Sequence, residues 1–273
     1  MRASLSNRIL EANVELHRIE AKYYELIHQE IYNKKEQKRI NSVLMRIDKL
    51  IQDNHKKALD FGAGTGNLTG KLLHMGYKVT AIDISPEMCL VLAKKYKGYL
   101  RAREKDRLRI INSKIEDVAF NKGEFDLVVC YSVLHHLPDY ISTIQKLSSF
   151  LKKGGVMYLD HEKSPFFYSE RKNAILKRIY NMSNFMLKKL MHILYFRIRI
   201  MESPHFDYTV ADYWTKKEHH LDHRKIEYTF KREKFDFFTR EDYHLTKTWF
   251  PNPAFYIYKK TFEPDMSLWI AKK

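Results

Sequence analysis

The chain has 273 residues, and its 49 Lys and Arg against 33 Asp and Glu give a formal charge of +16. Its length accommodates one full α/β domain with an appended segment. The two cysteines, Cys89 and Cys130, lie alone in apolar segments, which argues against a zinc site or a disulfide framework and favours a reducing cytoplasm. No apolar run approaches the roughly 18 residues that span a bilayer, and we expect no signal peptide because the N-terminus is polar.

The N-terminal region predicts two amphipathic helices. Apolar residues recur at helical spacing across residues 7–33, and the same pattern is repeated across residues 36–53. We expect residues 1–52 to form an N-terminal helical cap.

Residues 58–85 read ALDFGAGTGNLTGKLLHMGYKVTAIDIS, with the order strand, glycine-rich loop, helix, strand and acid that is typical of a nucleotide-binding unit. Asp83 ends the second strand, where a carboxylate can accept hydrogen bonds from a ribose. A dinucleotide fingerprint would need a third glycine at Asn67, and a P-loop would need Gly-Lys-Ser/Thr, so neither fits. Three loop glycines let the backbone turn sharply and let a ligand approach closely: Gly62, Gly64 and Gly66.

Strands and helices continue to alternate after this unit. Ser85 and Pro86 predict a helix start, RLRIINSKIEDVAF predicts a third strand, and FDLVVCYSVLHHLPD predicts a buried fourth strand with its loop. The stretch YISTIQKLSSFLKKGGVMYLDHE predicts a helix closed at Gly154 and Gly155, then a fifth strand ending near Asp160. This alternation implies a mostly parallel sheet with helices on both faces, which binds ligands at the carboxyl ends of its strands.

The composition changes beyond residue 162. Residues 171–201 carry eight Lys and Arg and no Asp or Glu, with apolar residues at helical spacing. Such a helix can form a lid over a pocket, contact an anionic membrane, or pack with solvated lysines; we favour the lid. The segment DHRKIEYTFKRE fits a strand or a helix, and the terminal MSLWIAKK predicts a strand. The predicted units after the cap are a core (53–162), a lid or ligand-binding insertion (163–234) and C-terminal strands completing the sheet (235–273).

Five motifs in order carry a family resemblance. LDFGAGTGNLT resembles motif I of the class I S-adenosylmethionine (SAM)-dependent methyltransferases, and the similarity continues through VTAIDISPEM, IINSKIEDVAF, FDLVVCYSVLHHLPD and LKKGGVMYLDHE. It covers residues 55–162 and is of the small-molecule type, and the terminal SLWIAKK resembles the family's last strand. The resemblance implies a Rossmann-like, seven-stranded, mostly parallel sheet with helices on both faces, N-terminal helices and an α-helical, aromatic insertion after strand 5. It also implies SAM as cofactor and S-adenosylhomocysteine (SAH) as product.

The resemblance also implies roles for particular residues. Asp60 would orient the glycine loop and take the cofactor's amino group, Asp83 would accept from both ribose hydroxyls, and Lys114 stands where the family often has an acid. Tyr23 and Tyr24 resemble an N-terminal element that closes over the cofactor, or are simply core residues of a helix. The full set of predicted cofactor-binding residues is Asp60, Gly62, Gly64, Gly66, Asn67, Asp83, Ile84, Met88, Ile115, Tyr131 and Tyr23.

Three histidines are the candidates for catalysis, His135 and His136 after the fourth strand and His161 after the fifth. A neutral imidazole can accept a proton near pH 7, but the first two can equally hydrogen-bond their loop or line the pocket. His161, with Glu162, can grip the acceptor or cap its strand. A sulfonium methyl needs mainly alignment, so a base is required only for a protonated acceptor.

The partner predicted by the resemblance is a small-molecule or lipid-linked acceptor, methylated at oxygen, nitrogen or carbon. Nucleic acid is disfavoured because CYSV after the fourth strand lacks the prolines that the nucleic-acid enzymes carry there. No metal is expected. An RNA or protein methyltransferase, and a non-catalytic basic module on a degenerate Rossmann scaffold, remain alternative hypotheses. Cytoplasmic location, with peripheral membrane contact through residues 171–201, completes the prediction.

Overall fold

A computed structural model describes residues 4–51, 56–97, 106–169, 210–216, 218–245, 259–260 and 263–273. The predicted lid helix at 171–201 lies outside these residues. The helices are α1 (Leu5–Glu20), α2 (Lys34–Leu50), α3 (Asn67–His74), α4 (Pro86–Lys97), α5 (Tyr140–Phe150) and α6 (His223–Arg232). Short helical turns occupy Ala21–Tyr23, Tyr24–Ile27, Gln29–Tyr32, Leu134–His136 and Phe166–Ser169. The strands are β1 (Lys57–Phe61), β2 (Lys78–Asp83), β3 (Leu108–Asn112), β4 (Phe125–Tyr131), β5 (Leu151–Lys163), β6 (Phe237–Tyr243) and β7 (Met266–Lys272).

The strands form one sheet in the order β3-β2-β1-β4-β5-β7-β6. The first five are parallel, and β7 is antiparallel to both β5 and β6. The seven-stranded, mostly parallel sheet predicted from the sequence is therefore confirmed. Strand order reverses on either side of β1, so the carboxyl ends of β1, β2 and β4 border the crevice where such sheets bind ligands.

Two hydrophobic clusters cover the two faces of the sheet. On one face α2, α3 and α4 pack around residues such as Leu44, Tyr77 and Leu92. On the other face α5 and α6 pack around Phe230 and Trp269. The segment DHRKIEYTFKRE fitted both a strand and a helix in the sequence, and the structure shows the helix α6. Ile226 and Phe230 are four residues apart, so a helix buries both on one side.

The N-terminal prediction was wrong in one respect, because the chain is not one helix over residues 7–33. Regular helix ends at Glu20, and the backbone leaves helical geometry at His28 (ψ 57°) and Asn33 (ψ 152°). The Asn33 side chain accepts hydrogen bonds from the amides of Lys35 and Glu36, so it caps α2. An Asn at this position favours a new helix start over continuation, despite the uninterrupted apolar spacing.

The end of α5 also differs from the prediction. The helix ends at Phe150, and Gly154 and Gly155 lie within β5 instead of closing the helix. The register between β4 and β5 shifts here, since Phe125 pairs with Leu151 while Leu127 pairs with Val156. Gly154, with φ 79°, lies inside this irregularity, and glycine adopts the conformation without a Cβ penalty. Among the described residues no helix combines the length and apolarity that crossing a bilayer requires.

Candidate active site

A cavity of about 470 Å³ lies at the carboxyl ends of β1, β2, β3 and β4. The turn after β4 and helix α1 form its remaining walls. Eight of the predicted site residues line it: Gly62, Gly64, Asp83, Ile84, Met88, Ile115, Tyr131 and His136. The cavity lies at the edge of the sheet that the sequence analysis selected, and the six remaining predicted residues do not line it.

The glycine loop is built from left-handed backbone. Gly62, Gly64 and Gly66 have φ values of 70°, 52° and 88°, which glycine adopts readily and other residues do not. A Cβ at Gly62 would collide with the Val133 side chain, and a Cβ at Gly66 would collide with Tyr96. Gly64 differs, because no atom lies within 4 Å of an added Cβ. Packing thus requires glycine at Gly62 and Gly66. Gly64 lines the cavity, and the space beside it is open.

We predict that Gly64→Ala lowers ligand affinity far more than it lowers stability. Gly76 is the matched control, because it also has positive φ (92°) and open space around an added Cβ, but it does not line the cavity. Both substitutions place Ala in left-handed backbone and should lower the free energy of unfolding by about 1–2 kcal/mol. Calorimetric titration with SAH should show at least a tenfold weaker affinity for Gly64→Ala only. Equal affinities for the two variants would contradict close ligand approach at Gly64.

Asp83 is a buried carboxylate at the end of β2 that lines the cavity. One of its oxygens accepts the amide hydrogen of Gly64 at 2.8 Å, and the other accepts that of Ser85 at 2.9 Å. Burial raises the pKa of Asp83, although these backbone donors oppose the shift. Because a carboxylate has about four acceptor positions, each oxygen keeps a free lone pair. Two such acceptors side by side suit a vicinal diol, and the apolar residues Ile84, Met88 and Ile115 line the wall beside them.

Asp60 lies beneath the glycine loop and does not line the cavity. It is 2% exposed, and its carboxylate accepts a hydrogen bond from the Thr69 hydroxyl at 2.6 Å. The contact ties the end of β1 to helix α3, which fits the predicted role of orienting the loop. Burial raises the pKa of Asp60 to about 7, with hydrogen bonds from Thr69 opposing the shift.

This pKa predicts a characteristic pH dependence of stability. Since the folded-state pKa is above the unfolded value of 3.8, the unfolded chain loses this proton first. The contribution of Asp60 to stability therefore falls as pH rises from about 4 to 7, by up to about 1.4 kcal/mol per pH unit. In urea unfolding measured from about pH 4 to 7, Asp60→Asn should lack this fall in the free energy of unfolding.

Asp139 provides a control of opposite sign. It is the exposed N-cap of α5; burial acts to raise its pKa, but hydrogen bonds from Ser142 outweigh this and lower it. Its contribution is therefore present above the unfolded pKa and lost as pH falls. Asp139→Asn should remove a component that rises with pH, and the same slope in both variants would contradict the assignment of a protonated, buried Asp60.

His135 and His136 form a helical turn after β4 and have different environments. Nδ1 of His135 lies 2.8 Å from the buried Glu162, whose other oxygen accepts from the amides of Val133 and Leu134. Burial lowers the pKa of His135, but the Glu162 carboxylate outweighs it and the net pKa is raised. His135 thus anchors its own loop, which agrees with the structural alternative considered for it.

His136 lines the cavity. Its Nδ1 lies 3.1 Å from the carbonyl oxygen of Ala211, and burial together with the neighbouring His135 lowers its pKa to about 4. A carbonyl can only accept, so Nδ1 carries the hydrogen and Nε2 keeps its lone pair. His136 therefore presents a neutral imidazole to a ligand at pH 7.

Helix α1 supplies cavity residues that the sequence analysis did not select. Ser6, Leu10, Asn13 and His17 all line it, at spacings of four, three and four residues along one face. Burial and the nearby His136 lower the pKa of His17 to about 4, so it is also neutral. The available signal was the presence of polar Asn13 and His17 at helical spacing beside an apolar stripe.

Tyr23 and Tyr24, the tyrosine pair after α1, lie in different environments. Tyr24 lines the cavity, and its ring lies 6.1 Å from that of His17. Burial raises the pKa of Tyr24 well above its usual value, so its hydroxyl remains a donor. Tyr23, the predicted member of the pair, is 39% exposed, with the Lys22 ammonium 5.4 Å from its ring centroid.

His161 belongs to a buried network behind Tyr131, a cavity-lining residue. The Tyr131 hydroxyl donates to Glu36 at 2.8 Å and lies 2.9 Å from Nδ1 of His161, and the two rings stack. Arg39 bridges the Glu36 and Asp160 carboxylates. Burial acts to raise the pKa of Glu36, but His161 and Arg39 outweigh it and lower the pKa to about 2. This network fixes Tyr131 and joins α2 to β5.

Asn67, the remaining predicted residue, begins α3 and lines a separate groove, which also includes Lys71 and Tyr96. It therefore does not contribute to the main cavity.

Comparisons with known proteins agree with this geometry. Residues 59–159 match the family described as Methyltransferase domain. The chain is 36% identical over 104 residues to the ubiquinone biosynthesis O-methyltransferase of Xanthomonas campestris pv. campestris strain B100, covering 38% of this chain and 41% of the relative. It is 37% identical over 122 residues to that of Vibrio parahaemolyticus, covering 44% and 48%. The chain thus spans less than half the length of the curated relatives it matches.

Solved structures share the fold at low sequence identity. An N-methyltransferase from Haemonchus contortus in complex with phosphomonomethylethanolamine and SAH aligns with TM-score 0.58 and 14% identity, covering 99% of this chain and 60% of that one. The magnesium protoporphyrin IX methyltransferase of Synechocystis PCC 6803 with bound SAH aligns with TM-score 0.52 and 14% identity, covering 91% and 84%. These structures share the class I, Rossmann-like fold with this chain, and residues 59–159 carry the match to the methyltransferase domain family.

Proposed function

We propose that this chain is a SAM-dependent methyltransferase that acts on a hydroxyl group of a small or lipid-linked acceptor. One observation carries the proposal. Asp83 and the glycine loop line the same cavity as the polar groups of α1 and of the turn after β4. The similarity to ubiquinone biosynthesis O-methyltransferases supports an oxygen acceptor.

The residues fit the cofactor. The free lone pairs of Asp83 match the two ribose hydroxyls, and the open space at Gly64 accommodates close approach of a ligand to the backbone. Ile84, Met88 and Ile115 provide an apolar surface for the adenine. When bound, SAM supplies an electrophilic methyl group that needs alignment more than activation.

The remaining wall would hold the acceptor. Nε2 of His136 accepts a hydrogen bond from the acceptor hydroxyl and can take its proton, while Tyr24 donates. Neutral His17 and His136 add no positive charge to the wall, which favours a hydroxyl over a carboxylate ligand. Helix α1 forms part of this wall. Val210 and Ala211, in the predicted insertion 163–234, pack against α1 at Ile9 and Leu16, which supports an acceptor-binding role for the insertion.

The experiment is transfer of a radiolabelled methyl group from SAM to alkylated catechols and phenols, with bulk tRNA and a protein mixture as alternative acceptors. We expect label on a catechol or phenol and none on its fully methylated analogue. Tyr24→Phe should lower turnover at least tenfold, and Tyr23→Phe, the matched control on the exposed neighbour, should not change it. Label on tRNA or protein alone would overturn the proposed acceptor class.

A peripheral membrane contact through residues 171–201 is part of the same proposal for a lipid-linked acceptor. Its support is the charge of the segment, which carries eight Lys and Arg and no acid. Sedimentation with vesicles should show binding to anionic lipid that weakens at high salt and is absent with neutral lipid. Equal sedimentation with neutral vesicles would contradict an electrostatic contact.

A further inference from the structure

Two histidines and a carboxylate converge beside the acceptor wall of the cavity, which only His136 of the three lines. His135, His136 and Asp212 each offer one ligand atom, and these atoms lie within 4.8 Å of one another. The methyl transfer proposed above requires no metal, so this grouping is unexplained by it. A metal ion with ligand distances of about 2.0–2.2 Å would need only small side-chain movements to be held by all three.

The hydrogen bonds of the two histidines are those of metal ligands. Nδ1 of His135 faces the Glu162 carboxylate at 2.8 Å, and Nδ1 of His136 faces the Ala211 carbonyl oxygen at 3.1 Å. Metal-binding histidines almost always donate one ring N–H to a carboxylate or a backbone carbonyl, which orients the ring and leaves the other nitrogen for the ion. Here both rings are oriented in this way, by Glu162 and by the Ala211 carbonyl.

The Glu162 carboxylate is itself rigidly held. It is 1% exposed, and its second oxygen accepts from the Val133 and Leu134 amides at 3.1 and 2.8 Å. The His135 ring is therefore oriented by a group that cannot rotate freely. Such outer partners typically change metal affinity by 10–100-fold.

Asp212 supplies the third group from the segment that packs on α1. Its side chain is 56% exposed, and one carboxylate oxygen lies 3.3 Å from Nδ1 of His136. An exposed carboxylate can rotate toward an ion without disturbing the core. The Lys163 ammonium, which donates to the Thr215 carbonyl three residues beyond Asp212, adds positive charge nearby and should limit the affinity.

We propose that His135, His136 and Asp212 bind a divalent transition-metal ion, such as Zn²⁺ or Co²⁺, through two imidazoles and one carboxylate. This donor set suits such ions and leaves coordination positions open. Because His136 lines the cavity, an open position is available to an acceptor oxygen. The ion would hold that oxygen in place of direct contact with His136, and would favour loss of its proton. This role in acceptor binding rests on the proposed function; the metal site itself does not.

The test is titration of the full chain with Co²⁺ alone, followed by ligand-field absorbance, with Zn²⁺ displacement. We expect one ion per chain with micromolar affinity, weakened at least tenfold in Asp212→Asn and in His136→Gln. His74→Gln, at an exposed histidine on α3, is the matched control and should bind as the natural sequence does. Circular dichroism on each variant separates loss of the site from loss of folding.

Binding of SAH by the same samples keeps the two proposals distinguishable. Absence of Co²⁺ bands, or bands unchanged in both Asp212→Asn and His136→Gln, would overturn the metal site whether or not SAH binds. Co²⁺ binding that depends on these residues, in a chain that does not bind SAH, would support the metal site and overturn the proposed function.

Discussion

Asp83→Asn should weaken SAH binding about 100-fold while leaving the protein folded. The substitution keeps the side-chain shape and one acceptor oxygen, which can still bond the Gly64 or Ser85 amide. It removes the charge and the paired acceptors that would meet two ribose hydroxyls. Hydrogen bonds to a charged group contribute about 1.5–3 kcal/mol, which corresponds to roughly tenfold to 150-fold in affinity. Isothermal titration calorimetry measures this directly.

Glu87→Gln is the control for that experiment. Glu87 lies in the first turn of α4, four residues beyond Asp83, and does not line the cavity. The Glu87→Gln substitution neutralises a carboxylate close to the same end of β2. A general electrostatic effect on SAH affinity would therefore appear in both variants. Unchanged SAH affinity in Asp83→Asn, or equal losses in the two variants, would contradict ribose recognition by Asp83.

Gly62→Ala should be the most damaging of the loop substitutions to stability. The new Cβ would collide with the buried Val133 side chain and would also occupy backbone with φ 70°. Overpacking typically costs about 1–3 kcal/mol and left-handed backbone about 1–2, so we expect a loss of roughly 2–5 kcal/mol in the free energy of unfolding. Gly76→Ala carries only the backbone cost. Urea unfolding of both variants measures the difference.

A double-mutant cycle identifies the cause of that loss. Val133→Ala removes the γ carbons that an added Cβ at Gly62 would meet. If the collision is the cause, Gly62→Ala should cost at least 1 kcal/mol less in the Val133→Ala background than in the natural sequence. Additive effects of the two substitutions would show that backbone strain alone is responsible.

The sheet was predictable because its strands are buried and its glycine loop has a distinctive spacing. In β4 all seven residues are buried. Its last five residues, LVVCY at 127–131, form a continuous apolar run that predicts a central parallel strand. Helix boundaries were less predictable where one polar side chain decides them. Asn33 starts α2 by capping it, yet the apolar spacing on both sides is that of one continuous helix.

The cofactor side of the site was predictable for a similar reason, because Gly62, Gly64 and Asp83 belong to one local unit. The acceptor side was not, since it is assembled from distant parts of the chain. Asn13 on α1 donates to the carbonyls of His136 and Ala211, which are 123 and 198 residues away. Contacts at such separations leave no periodic pattern in the sequence. The choice of Tyr23 over Tyr24 illustrates this limit, because both fit the same helical pattern and only packing distinguishes them.

Binding of SAM and SAH in the cavity beside Asp83 is tested most directly by calorimetric titration of the unmodified chain with SAH. We predict one site per chain with micromolar affinity, and no binding of NADH, since the loop lacks the third glycine of a dinucleotide fingerprint at Asn67. Absence of heat with SAH, or equal binding of NADH, would contradict the assignment.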